Sequence, residues 1–226
     1  MKPITLAVLV CSSLAFADDL QPAEWKKASE QGGLILDVRT PGEVAKGKIA
    51  NASVIDLNAD GFERKVGLIA RDKPIYVYCR SGGRSSRAAE LMAKMGFTNV
   101  HNLAGGITAW TAAGLPVDTT NVQAAASGET TTPEAFDAAL KANSRVLVDF
   151  HTPWCTPCQK MAPIVDALAI KNVKVMKVDI DASEALAERE KVQGVPVFVL
   201  YVGGKEKARL VGEQTKQALE KLAAQK

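Results

Sequence analysis

The chain has 226 residues, with 28 Lys and Arg against 25 Asp and Glu, and 47% of it is hydrophobic. That length leaves room for more than one core. The near balance of charge, with no basic tract and no aromatic-basic interleaving, gives nucleic-acid binding no support. Beyond the N-terminal segment no apolar run approaches the roughly 18 residues that span a bilayer, so the mature chain is expected to be soluble, without stable membrane insertion.

Residues 1–17 read as a secretory signal peptide. Lys2 supplies the charge, residues 4–14 are apolar, and Ala15-Phe16-Ala17 is a small-x-small cleavage site before Asp18-Asp19. Export to the periplasm, or secretion otherwise, is therefore expected. Cys11 lies inside this segment, but Val10 stands where lipid attachment needs a small residue. Cleavage leaves Cys79, Cys155 and Cys158. Two cysteines separated by two residues pair locally, which makes Cys79 the odd thiol and leaves no long-range disulfide framework.

Residues 18–120 form the first expected domain. Strands are expected at 34–38, 53–57, 75–78 and 100–103. Between the last two, Ala88, Leu91, Met92 and Met95 recur at helical spacing, with Gly96 placed to end the helix. Strands alternating with helices imply an α/β fold with a mainly parallel sheet. Residues 121–131 are small and polar without hydrophobic period, as in a linker. Residues 132–226 form the second domain, opening with Thr132 as N-cap and Pro133 at the first helical position. Strands follow at 145–150 and 173–178, then a hairpin of 197–202 and 208–211 across Gly203-Gly204. Met161, Ile164, Val165 and Leu168 stripe a helix that Pro163 should kink, and a last helix covers about 214–223.

Two cysteine motifs follow apolar strands and enter tight turns where helices begin: Cys79-Arg80-Ser81-Gly82-Gly83-Arg84-Ser85 and Trp154-Cys155-Thr156-Pro157-Cys158. Backbone N–H groups and the positive helix end favour a thiolate at both. In the first, a phosphate-sized loop would need Arg six positions after Cys79. Ser85 stands there, and Arg84 closes a loop one residue shorter, which suits sulfur. In the second, the spacing lets Cys158 attack a mixed disulfide on an exposed, acid-shifted Cys155. Tetrahedral zinc needs four ligands, and the other Cys and the two His are not suitably spaced.

The first domain resembles rhodaneses throughout. Besides the cysteine loop, Asp37-Val38-Arg39-Thr40-Pro41-Gly42-Glu43 is similar to the family's opening motif. Leu103-Ala104-Gly105-Gly106-Ile107-Thr108-Ala109-Trp110 and Ala113-Gly114-Leu115-Pro116-Val117 are similar to its closing motif. The resemblance implies a parallel-sheet sulfurtransferase in which Cys79 accepts a sulfane sulfur. Arg80, Ser81, Gly82, Gly83 and Arg84 would hold a small anionic donor such as thiosulfate, with Asp37 and Arg39 structural. Lys48 and Asn51 stand where the family usually has His and Gly.

The second domain resembles thioredoxins, which implies a Cys155–Cys158 redox disulfide acting on protein thiols or disulfides. It further implies that Asp149 is the proton acceptor for Cys158, accompanied by Lys177. Trp154 precedes the motif as in thioredoxins, and Val195-Pro196 is similar to the family's cis-proline loop, which implies that the backbone of residue 195 can pair with a bound peptide. His151 and Thr156 depart from the usual aromatic and Gly. Residues between the cysteines tune the potential over about 100 mV or more, so reductant and oxidant roles both stay open. A reducing role outside the cytoplasm would need electrons from a membrane thiol reductase. Neither domain needs an organic cofactor or a metal.

The expected protein is thus an exported rhodanese-like sulfurtransferase fused to a thioredoxin-fold oxidoreductase. Two other readings stand beside it: an oxidoreductase whose first domain only binds a partner, and a non-enzymatic binding or chaperone-like protein. A linker of about 11 residues would let sulfur pass from Cys79 to Cys155 within one molecule.

Overall fold

The computed structural model describes residues 18–119 and 129–225. The expected signal peptide and most of the expected linker lie outside the described residues.

The first domain is built on a five-stranded, wholly parallel sheet in the order β1-β5-β4-β2-β3. Its strands are β1 (Asp18–Leu20), β2 (Leu34–Asp37), β3 (Ala52–Val54), β4 (Ile75–Tyr78) and β5 (Val100–Leu103). The helices are α1 (Pro22–Ser29), α2 (Pro41–Val44), α3 (Phe62–Gly67), α4 (Gly83–Lys94) and α5 (Gly106–Ala112). Strand β4 is buried along its whole length, which is why residues 75–78 read as an unbroken apolar run. In α4, Ala88 and Met92 are fully buried while Leu91 and Met95 pack against the same cluster, so the sequence stripe is the buried face. Gly96 follows with φ +90°, ending the helix as expected.

The opposite sheet face carries an aromatic cluster in which Trp25 meets Tyr76, Tyr78 and Trp110 edge-on. Asp37 and Arg39 form a buried ion pair, and Arg39 also donates to the Gly47 carbonyl at 2.8 Å, which ties the opening motif together. Asn51 takes the left-handed conformation at φ +61°, and Lys48 Nζ bonds the Ala52 carbonyl at 2.7 Å. The departures at these two positions are thus absorbed in a loop, since Asn tolerates that conformation better than most residues.

The second domain has a four-stranded sheet in the order β7-β6-β8-β9. Strand β6 (Arg145–His151) runs parallel to β7 (Lys174–Asp179) and antiparallel to β8 (Val197–Val202), which forms a hairpin with β9 (Lys205–Val211). Helices α6 (Pro133–Ala142), α7 (Thr156–Asp166), α8 (Glu184–Arg189) and α9 (Lys216–Ala223) cover it. The Thr132 hydroxyl accepts from the Ala135 amide at 3.2 Å, the expected N-cap. Pro163 lies inside α7 as anticipated.

The domains are packed together. One buried apolar cluster runs from Leu36, Val66, Leu68 and Ile69 of the first domain into Trp154, Cys155, Cys158 and Val197 of the second. No described helix is long and apolar enough to cross a membrane.

Candidate functional site

Cys79 ends the buried strand β4 and begins the turn into α4. Its Sγ accepts from the Gly82 amide at 3.2 Å and from the Ser85 hydroxyl at 3.3 Å. Burial alone would push the thiol pKa up. The Ser85 hydroxyl and the amides of Ser85, Ser81 and Gly82 together outweigh it and bring the pKa below its ordinary value. The turn requires Gly82 at φ +99°. The closing motif clasps the loop from outside: Ile107 N–H donates to the Cys79 carbonyl at 2.9 Å and Thr108 N–H to the Arg80 carbonyl at 3.1 Å.

The loop arginines part company. Arg80 is exposed at the rim. Arg84 instead makes a bidentate pair with Glu43, at 2.8 and 2.6 Å, and holds that carboxyl down at about 2. Glu43 also bonds Thr40 in a capping box, so Arg84 anchors the opening motif to the cysteine loop. Reasoning from the loop alone missed Glu43. Its position four residues beyond Arg39 in the opening motif was the signal available.

Cys155 and Cys158 are joined as a disulfide at the start of α7, and the Cys158 amide donates to Cys155 Sγ at 3.1 Å. The Val195–Pro196 bond is cis. Asp149 lies inside β6, 3% exposed, with Oδ1 lacking any partner. Burial raises its pKa to about 7, only partly offset by Lys177 on the neighbouring strand. Lys177 itself pairs with Asp166 at 3.0 Å. Trp154 Nε1 donates to Asp181 Oδ2 at 2.6 Å. Burial lowers the His151 pKa and favours the neutral ring.

Cys155 is not exposed as expected. It retains 2% exposure and Trp154 8%, because the first domain covers them. The Thr156 amide, one of the orphan donors at the α7 N-terminus, donates to Ser53 Oγ at 3.0 Å. The Val195 amide donates to the Leu68 carbonyl at 3.1 Å.

Two family models match the chain: Rhodanese-like domain over residues 21–113 and Thioredoxin over residues 127–225. A thioredoxin of Chlamydia trachomatis is 42% identical over 83 residues, covering 36% of this chain and 81% of that protein. A sulfurtransferase of Allochromatium vinosum is 34% identical over 99 residues, covering 44% of this chain and 91% of that protein. The chain belongs to both families, one per domain. Among solved structures, a rhodanese-related protein from Thermoplasma volcanium shares 30% identity at a TM-score of 0.42, covering 45% of this chain and 98% of its own. Rhodanese-like and thioredoxin domains together support sulfurtransferase and thiol–disulfide oxidoreductase activity, with sulfur donors and protein thiols as the general classes of partner.

Proposed function

We propose that the rhodanese-like domain is an active sulfur carrier with a small anionic donor such as thiosulfate, and that the thioredoxin domain exchanges protein disulfides outside the cytoplasm. The observation that carries the first part is the ring of donors on Cys79 Sγ. They stabilise a thiolate before reaction and an anionic persulfide after it. The thiolate attacks the outer sulfur of thiosulfate, the new Sγ–S bond forms, and sulfite leaves with the electron pair of the broken bond. Arg80 at the rim supports capture of the dianion, while Arg84 shapes the loop through Glu43.

In the thioredoxin domain, the reduced Cys155 thiolate attacks a substrate disulfide. Cys158 then gives its proton to Asp149, attacks Cys155 Sγ and releases the substrate thiol. An Asp149 pKa of about 7 suits a group that takes and returns a proton near neutral pH. A reducing direction in an exported protein requires electrons from a membrane thiol reductase.

Incubating the reduced protein with thiosulfate should add one sulfur atom at Cys79, read by intact and peptide mass. Cys79→Ser should abolish both this adduct and thiocyanate formation from cyanide. Wild-type turnover in that variant would remove the sulfurtransferase assignment.

A further inference from the structure

The edge of the first domain that faces the dithiol occupies the place of a substrate. Leu68, at the end of α3, gives its carbonyl to the amide of Val195, the residue before the cis proline. Leu68, Ile69 and Ala70 then line a residual cavity of about 90 Å³ with Trp154, Cys155 and Pro196. One turn upstream, Arg64 and Lys65 each reach Asp181 at 3.2 Å, and Arg64 also reaches Glu184 at 2.9 Å. Asp181 is the same carboxylate that holds Trp154. The contacts thus join one backbone rung, an apolar segment over the disulfide and two cations on a nearly buried carboxylate.

We infer that residues 64–70 of the rhodanese-like domain are a tethered pseudosubstrate that caps the thioredoxin site. Protein substrates reach Cys155 only when the domains separate. The peptides this groove fits best share the chemistry of the cap: a short apolar backbone segment with basic side chains one turn upstream. The inference rests on the reading of residue 195 as the peptide-pairing position.

The cap is held by charge at its rim, so reversing that charge opens it. In R64E/K65E, two carboxylates replace two cations against Asp181 and Glu184, and the repulsion favours the open form. S53R is an independent route, because it places a bulky cation under the Thr156 amide. A state closed to the extent that its open form is a tenth or less populated should gain roughly tenfold or more in accessibility when opened.

The experiment uses the full chain. Its disulfide is reduced, and Cys155 labelling by a bulky polyethylene-glycol maleimide is compared with labelling by N-ethylmaleimide, resolved by peptide mass. Amide exchange at Val195 and Thr156 is followed in parallel on the oxidised chain. Each variant should label roughly tenfold faster with the bulky reagent and lose amide protection at Val195, while still loading sulfur on Cys79 as proof of folding. Unchanged bulky labelling and unchanged Val195 exchange in both folded variants would overturn the cap. Insulin reduction is measured alongside. Its absence in every form would count against the oxidoreductase reading and leave the docking result intact.

Discussion

At the scale of single residues, chemistry and burial pull in opposite directions, and the outcome differs between the two sites. At Cys79 the hydrogen bonds win and the pKa falls. At Asp149 burial wins and the pKa rises to about 7. A carboxyl near 4 when unfolded and near 7 when folded keeps its proton longer in the native state. Its contribution to stability is therefore fully present below about pH 4 and is lost as pH rises through about 7. Three units correspond to about 4 kcal/mol. Asp149→Asn should abolish most of that slope, measured by urea unfolding of the oxidised protein at pH 5 and pH 8, and should slow insulin reduction. A wild-type slope in the variant would mean that Asp149 is not the titrating group. The reactive residues were legible in the sequence because each sits in a dense local motif. The Glu43–Arg84 pair was not, since it joins positions 41 residues apart.

At the scale of elements, the strands that carry the sites were readable because burial makes them apolar runs. The short helices α2, α3, α5 and α8 escaped, being too brief to show a hydrophobic period, and α1, as long as α9, escaped because it buries Trp25 alone. Strand β1 escaped for a different reason: Asp18-Asp19-Leu20 pairs through its backbone with β5, and its polar side chains give no strand signal. Strand β9 extends back to Lys205, because the charged residues 205–207 lie on its exposed stretch. The closing motif is specified by contact with the cysteine loop. Gly106 has φ +60°, and a Cβ there would lie 2.5 Å from the Cys79 carbonyl oxygen and 2.6 Å from the Arg80 carbonyl carbon. Gly106→Ala should therefore cost about 2 kcal/mol or more and displace the loop that cradles the sulfur. Gly42, outside the donor loop and with nothing within 4 Å of its added Cβ, serves as the control. Thermal unfolding together with sulfur loading on Cys79 checks the pair. Equal behaviour of the two variants would show that the clasp is not tight.

At the scale of the whole molecule, the docking of one domain on the other was hidden from sequence reasoning. Nothing in the sequence marks Leu68 and Ile69 as contacts of the second domain, and Ser53 lies in an expected strand, because a pattern does not tell which core an apolar side chain joins. The docked arrangement bears directly on transfer between the two sulfur sites. Cys155 faces a cavity lined by Gly33, Leu34 and Lys73, at the ends where β2 and β4 begin. Cys79 lies beyond the far end of β4, four residues from Ile75, or ~13 Å at about 3.3 Å per residue. The relay anticipated from the short tether therefore requires the cap to lift first. Once it had lifted, a tether of about 11 residues would keep the two sites at effective concentrations on the order of millimolar. In the proposed relay the Cys155 thiolate would attack the outer persulfide sulfur and free the Cys79 thiolate. Cys158 would then attack Cys155 Sγ, expel hydrosulfide and close the disulfide, so that the dithiol is oxidised as the sulfane sulfur is reduced. With Cys158→Ser the sulfur should stop on Cys155. The rate should be independent of protein concentration and should rise when R64E/K65E opens the cap. Labelled sulfur followed by peptide mass at several protein concentrations tests both points. A rate proportional to concentration would place the transfer between molecules, and no sulfur on Cys155 would leave the two domains as separate enzymes on one chain.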